Sequence, residues 1–148
     1  MSIWDWAQAA YGRPGVAEAC LTLQDLYGQQ TCLLLWAVWA GETDPGRLSR
    51  AARAVRAWDE SAIQPIRQAR RALKAEYPPI EDGAREALRE AVKGCELFAE
   101  RAVLEGLANL VGRRPGTADP LEALEAASNA WGSPAPRPAL ADLAAALG

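Results

Sequence analysis

Histidine is absent from the 148 residues of this chain. Its absence excludes Ser-His-Asp and Cys-His nucleophilic sites and every metal site that uses an imidazole ligand. The chain also lacks a GxxxxGK motif and a glycine-rich loop after a strand, which excludes a P-loop and a dinucleotide-binding fingerprint. The sequence therefore predicts no catalytic residue, no metal site and no cofactor, and it favours a protein that is not an enzyme.

Cysteine and long apolar runs are scarce as well. Cys20, Cys32 and Cys95 are odd in number, lack CxxC spacing and fall on apolar helical faces, so we expect them to be small buried hydrophobic side chains. The longest apolar run, 32–40, is about half as long as a membrane span. The N-terminal residues lack the basic segment of a signal peptide. We therefore expect a cytoplasmic protein with no membrane span.

Strand-forming residues are also few, with one Phe and three Tyr in the whole chain. Good helix formers, namely Ala, Leu, Arg and Glu, are abundant instead, and this composition predicts an all-α fold. Hydrophobic residues make up 50% of the chain and charged residues 24%, as in a globular domain with a packed core.

Helical periodicity predicts a single compact multi-helix bundle of about six to eight helices over residues 1–112. Residues 30–40 are apolar on every side, so they predict a central helix that the other helices surround. Residues 113–148 predict a Pro/Gly-rich C-terminal extension with one or two short helices, docked or frayed. The predicted helices span residues 2–12, 14–28, 30–41, 45–58, 61–77, 82–112, 120–131 and 139–147.

The fifth and sixth predicted helices each carry an apolar stripe that we expect to face the core. In the fifth helix the stripe consists of Ile63, Ile66, Ala69, Leu73 and Tyr77. In the sixth helix it consists of Leu88, Ala91, Val92, Cys95, Ala99, Ala102, Val103 and Leu107.

The acidic residues of the sixth helix occur in pairs four residues apart, namely Glu86 with Glu90 and Glu96 with Glu100. Such pairs present two carboxylates to one hard cation, or they form part of a salt-bridged helix face. Basic residues are interleaved with these acids, which favours the salt-bridged face.

The strongest charge asymmetry lies in residues 47–74, which hold eight basic and two acidic side chains. Arg67, Arg70, Arg71 and Lys74 share about a third of the circumference of the fifth helix and form an arginine stripe. This stripe suits an anionic ligand, nucleic acid or an acidic partner. If the fifth and sixth helices form a hairpin, we expect internal pairs instead. The expected pairs are Lys74 with Glu86, Arg70 and Arg71 with Glu90, and Arg67 with Glu96.

Four of the six tryptophans lie within the first forty residues. Core packing is the expected role of most of them, but Trp4 and Trp6 are about 200° apart on one helix, so we expect Trp6 at a rim. Gln24 and Asp25 are polar groups in an apolar pattern, which must be paired or used in binding. We expect Gln24 or Asp25 to hold the turn at Gly28, with ligand or partner binding as the alternative.

A pattern in the first forty residues resembles an uncharacterised family of small proteobacterial proteins, a domain of unknown function. The pattern reads WDWA at 4–7, YGRPGV at 11–16, ACL at 19–21, LQD at 23–25, and LLLWA at 33–37. The similarity continues more loosely to about residue 110. The resemblance implies a cytoplasmic helical protein and assigns no catalytic residue, and it adds weight to Gln24, Asp25 and the Arg13-Pro14-Gly15 corner.

The sequence leaves three hypotheses of function. The first is a non-enzymatic binding or adaptor protein that acts on another protein or on a second copy of itself through Trp6 and the arginine stripe. The second is a pocket for a small molecule, lined by Trp and Leu side chains and gated by Arg13, Gln24 or Asp25. The third is nucleic-acid binding through the Arg-rich helices 45–76, which the acidic pI of about 5.1 disfavours.

Overall fold

A computed structural model describes residues 1–111 and 118–148, apart from the side chain of residue 111. Within these residues it contains no strand, which confirms the predicted all-α class. Eight α-helices are present there: α1 (Ile3–Tyr11), α2 (Val16–Tyr27), α3 (Thr31–Ala40), α4 (Pro45–Trp58), α5 (Gln64–Ala72), α6 (Asp82–Val111), α7 (Pro120–Trp131) and α8 (Arg137–Leu147). The Arg113-to-Gly116 stretch and the domain boundary predicted after residue 112 lie outside the described residues, and that boundary stays a prediction.

The chain divides into two compact units. Unit 1 consists of Met1–Ala54 and Leu104–Gly148, and unit 2 consists of Val55–Val103. Helices α4 and α6 each contribute residues to both units.

Helix α3 forms the core of unit 1. Eight of its ten residues are buried, and the largest, Trp36, is fully enclosed. It packs against α1, α2 and α7, which confirms the predicted apolar central helix. Its first turn is capped by Gln30, whose side chain accepts a hydrogen bond from the Leu33 amide, and it ends at Gly41 in the left-handed conformation.

A polar network attaches the turn between α2 and α3 to the C-terminal helices of unit 1. The buried Gln29 donates to the Ser133 carbonyl at 2.8 Å and accepts from the Ser128 hydroxyl at 2.7 Å. The Trp131 indole donates to the Gly28 carbonyl at 2.9 Å. Helix α8 packs on α2 and α7, so the tail predicted at 139–147 is helical, begins at Arg137 and is docked.

Unit 2 contains α5, most of α6 and a π-helical segment, Asp59–Ile63, that joins α4 to α5 without a break. In a π-helical turn the hydrogen bonds reach one residue further than in an α-helix, so the segment contains a wide turn. Pro65 follows it within the first turn of α5, where proline is tolerated. Helix α5 ends at Ala72, earlier than the predicted Tyr77.

The two stripes predicted to face the core are only partly buried. Ile63 is buried in the fifth helical stretch, whereas Ala69 and Tyr77 are exposed. In α6 the C-terminal members Ala99, Val103 and Leu107 are buried, as expected. The prediction is wrong for Leu88, Ala91, Cys95 and Ala102, which are exposed, and Val92 is half-buried. Cys95 also departs from the expectation of three buried cysteines, while Cys20 and Cys32 conform to it.

Candidate functional site

Four side chains between α5 and α6 form a charged cluster in unit 2, made up of Arg67, Arg70, Glu96 and Glu100. The Arg67 guanidinium lies 3.3 Å from a Glu96 oxygen and 3.5 Å from a Glu100 oxygen. Arg70 donates to the other Glu96 oxygen at 2.8 Å. Arg67 is 5% exposed, so two arginines and two carboxylates share a site that is largely closed to water.

Opposing effects act on the pKa of Glu100 in this charged cluster. Burial raises the pKa of the Glu100 carboxyl, and the neighbouring Glu96 carboxylate raises it further. Arg67 and Arg70 act in the opposite direction without cancelling the rise. Glu100 therefore takes up a proton at a higher pH than an ordinary glutamate does.

The π-helical segment supplies further polar contacts within unit 2. Asp59 is buried and accepts two hydrogen bonds from the Gln64 amide, at 3.1 and 3.3 Å. One residue before the segment, the Trp58 indole donates to the carbonyl of Ala99 on α6 at 2.9 Å. The wide turn is thus held by hydrogen bonds at both of its ends.

A second buried arginine fixes the start of α6. Arg85 donates to Asp82, to Glu86 and to the Leu73 carbonyl, each at 2.6 Å. Its hydrogen bond lowers the pKa of the Asp82 carboxyl, and the two carboxylates raise the pKa of the guanidinium. Arg85 therefore joins the end of α5 to the first turn of α6.

The expected pairing between α5 and α6 is correct for Arg67 with Glu96. It is wrong for Arg70, which pairs with Glu96, six residues further along α6 than the expected Glu90. Glu90, the partner expected for Arg71, pairs with Lys93. Glu86, the partner expected for Lys74, pairs with Arg85. The arginine stripe is thus divided: Arg67 and Arg70 point into the hairpin, while Arg71 and Lys74 are exposed.

The opposite face of α6 carries an exposed apolar strip, which we call the α6 seam. Its members are Ala84, Leu88, Ala91, Cys95, Phe98 and Ala102, and all six are exposed. Phe98 is 74% exposed and Leu88 is 53% exposed. At 100° per residue these positions, together with the exposed Ala87, fill a sector of about 100° that contains no polar residue between 84 and 102.

The hairpin of α5 and α6 therefore has an inverted distribution of polarity. Arg85, Glu96 and Glu100 lie on the side of α6 that faces α5, while the α6 seam lies on the side that faces solvent. An amphipathic helix in a soluble protein ordinarily does the reverse. An exposed apolar strip of this length is the usual mark of an interaction surface.

Four of the candidate residues, Trp6, Arg13, Gln24 and Asp25, belong to unit 1, whereas the charged cluster belongs to unit 2. Trp6 is half-buried, in agreement with a position at a rim, and Trp4 is half-buried too. Arg13 donates to the carbonyl of Leu147, so the corner after α1 contacts the end of α8. Gln24 donates to Asp25 at 3.4 Å on the surface of α2.

A shallow groove of about 280 Å³ lies between α2 and α8. Its lining consists of Gly15, Glu18, Ala19, Thr22, Ala139, Asp142 and Ala146. None of these is a Trp or a Leu, so the groove differs from the pocket expected beside the central helix. Its volume is at the lower limit of ligand pockets, about 300 Å³.

Two features escaped the sequence reasoning. Gln29 was overlooked as the residue that holds the Gly28 turn, although it is a polar residue between the helix-ending Gly28 and the N-cap Gln30. Four members of the α6 seam belong to the stripe that the sequence assigned to the core, namely Leu88, Ala91, Cys95 and Ala102, whereas Ala84 and Phe98 were not singled out. An uninterrupted spacing of four and three residues is typical of helix pairing, both within a fold and with another protein.

Comparison with known proteins gives one match. The family model described as "Protein of unknown function (DUF2390)" matches residues 2–107. The chain belongs to this family. No curated protein and no solved structure matches it. The DUF2390 match covers all of unit 2, so the charged cluster and the α6 seam both lie within the family region, whereas α7 and α8 lie outside it.

Two kinds of site are absent from residues 1–111 and 118–148. No three or more acidic or cysteine side chains are grouped so that they would hold a metal ion there. In the same residues no helix is long and apolar enough to cross a membrane.

Proposed function

We propose that this DUF2390 protein is a non-enzymatic binding protein of the cytoplasm whose α6 seam packs against an apolar helix of a protein partner. The observation that carries the proposal is the exposure of the seam on a helix whose other face is occupied by the charged cluster. The partner helix has to present small and large apolar side chains in turn, because the seam alternates alanine and cysteine with Leu88 and Phe98.

The free energy available at this surface is considerable. Full burial of an exposed Leu or Phe side chain contributes about 1.5–3 kcal/mol. Phe98 and Leu88 are more than half exposed, so most of that contribution remains to be gained on binding. Aromatic side chains at the centre of an interface often dominate its energetics, and Phe98 is the candidate for this role.

The paired arginines argue against the competing functions. Arg67 and Arg70 already bind carboxylates at 2.8–3.5 Å, which removes two of the four charges offered to an anion or a nucleic acid. The free thiols of all three cysteines support the cytoplasmic assignment.

Photo-cross-linking in the native cell tests the proposal. A photoreactive amino acid replaces Ala91 within the seam, and in the control it replaces Ala69, an exposed alanine of α5 in the same unit. We expect one discrete cross-linked species from position 91 and none from position 69, and Phe98→Glu should abolish it. Equal yields from the two positions, or a species that persists with Phe98→Glu, would show that the seam is not the binding surface.

A further inference from the structure

The members of the α6 seam form a palindrome. Their spacing along the chain is four, three, four, three and four residues, and their sizes run small, large, small, small, large, small. Both sequences read the same in either direction about Lys93. An interface between two copies related by a two-fold axis uses the same patch on each, so such a patch must complement itself when reversed.

The spacing of four and three is also that of a heptad seam. Leu88, Cys95 and Ala102 take one of the two core positions of the heptad, while Ala84, Ala91 and Phe98 take the other. If two α6 helices lie antiparallel with the axis at the level of Lys93, each layer combines one position of each kind. Leu88 then meets Phe98 of the second copy, Ala91 meets Cys95, and Ala84 meets Ala102.

The sizes of the seam residues fit this orientation. Small residues in the central layer, Ala91 and Cys95, with Gly94 beside them, permit close approach of the two backbones. The layers of Leu88 with Phe98 then lie on either side of this centre, and Ala84 with Ala102 forms the two end layers.

The area matches that of a weak specific dimer. The seam from Ala84 to Ala102 is about 27 Å long and about 10 Å wide at ordinary helix dimensions. Two such strips cover roughly 540 Å² in projection, less than a standard interface buries, so the pairing is a weak one. We therefore expect a dissociation constant in the micromolar range.

We infer that the partner helix is α6 of a second copy of this chain, and that the two α6 seams pair antiparallel about a two-fold axis at the level of Lys93. The inference rests on the proposed function, since it names the occupant of the same surface. It gives the seam a self-complementary partner and leaves the charged cluster inside each copy.

Sedimentation velocity of the full chain across the micromolar range tests the pairing. We expect wild-type protein to pass from monomer to dimer as concentration rises, and Phe98→Glu to remain monomeric. The matched control is Leu97→Glu, because Leu97 is the adjacent residue, is 51% exposed and points about 130° away from the centre of the seam. This variant should dimerise like wild type. Circular dichroism of each variant confirms that helix content is unchanged.

A mixing experiment tests the orientation, and it does not depend on any single variant folding perfectly. Leu88→Lys and Phe98→Glu should each be monomeric alone, because each places a charge in two apolar layers. An equimolar mixture should dimerise, since an antiparallel pair then has one native layer and one layer with opposite charges. In a parallel pair these charges never meet, so failure of the mixture to dimerise would overturn the antiparallel arrangement.

The two proposals fail in different ways. A wild-type chain that stays monomeric at every concentration, or a Leu97→Glu variant as impaired as Phe98→Glu, would overturn the pairing with a second copy. If position 91 then cross-links to a different protein in a manner that depends on Phe98, the proposed function stands. If position 91 cross-links to nothing, the proposed function is wrong as well.

Discussion

The interiors of the two units of this protein differ in polarity. In unit 1 the central helix α3 is buried on nearly all sides, and the fully enclosed side chains include Trp36, Leu33 and Leu34. In unit 2 the interior between α5 and α6 contains Arg67, Glu96 and Glu100, while Phe98 and Leu88 are exposed. The same all-α architecture thus encloses an almost wholly apolar interior in one unit, and buried ion pairs beside a few apolar side chains such as Val55 and Ile63 in the other.

This difference predicts different kinds of stability. Apolar burial contributes in proportion to area, whereas a buried ion pair regains little more than the cost of removing its charges from water. Unit 2 therefore gains less from its interior than unit 1 does. It has unused apolar area on the α6 seam, and covering that area compensates for the polar interior.

The largest effect is expected from an apolar truncation in unit 1. Leu34→Ala should lower the free energy of unfolding by about 4 kcal/mol, because it leaves a cavity in a fully buried helix. Urea denaturation followed by circular dichroism measures the loss. Leu21→Ala, at a position that is 56% exposed on α2, should change stability by less than about 0.5 kcal/mol. Equal losses from the two variants would mean that α3 is not the core.

The next largest effect is expected from breaking the charged cluster. Arg67→Ala should destabilise unit 2 by about 3 kcal/mol, because Glu100 loses its ion-pair partner and Glu96 keeps Arg70 alone. Hydrogen exchange measured by mass spectrometry should show the loss of protection in α5 and α6 before α3. Lys74→Ala, at an exposed position just after α5, removes the same charge and serves as the control. Protection lost uniformly along the chain would contradict the separate character of the two units.

A smaller effect is expected when the interior of unit 2 is made apolar. The double variant Arg67→Met with Glu100→Leu keeps the Arg70–Glu96 pair and should lie within about 1 kcal/mol of wild-type stability, because matched apolar replacements of buried ion pairs are often neutral or stabilising. The same denaturation experiment compares it with Arg67→Ala. A double variant as unstable as the single one would show that the ion pairs themselves hold the hairpin together.

The smallest effect concerns the pH dependence of Glu100. Its pKa is raised in the folded state above the ordinary value of 4.5, so its contribution to stability is greatest below that pH and declines as pH rises through the raised value. Glu100→Gln should therefore be more stable than wild type at pH 7, by less than about 1 kcal/mol because the attraction to Arg67 is lost. The difference should disappear at acidic pH in thermal melts. A difference that grows towards acidic pH would mean that Arg67 dominates the site.

Most of the fold of unit 1 was predictable from the sequence, because its signals are local. Residues 30–40 are apolar all round, and Ser2 and Asp44 accept the capping hydrogen bonds that their positions before α1 and α4 indicate. The docking of α8 on α2 was less predictable, since it depends on tertiary contacts of an alanine-rich segment that is marginal by itself.

The candidate site in unit 2 was predictable only in part. The charge pattern indicated ion pairs between α5 and α6, and Arg67 with Glu96 is one of them. The apolar stripe of α6 was also visible, but periodicity shows which residues share a face and not what the face meets. Whether the charges or the apolar stripe are buried depends on the helix geometry before α5.

That geometry gives the wide turn at Asp59–Ile63 a consequence for the whole of unit 2. A π-helical turn accommodates about one extra residue, which rotates everything after it by about 100° relative to a straight α-helix. In a straight helix, Ile66, Ala69 and Leu73 would continue the buried line of Val55; after the wide turn, Arg67 and Arg70 take that line instead. One extra residue in this turn therefore determines whether charged or apolar side chains of α5 form the interior of the hairpin. Deletion of one residue within 59–63 would exchange an ionic interior for an apolar one while leaving every downstream side chain the same.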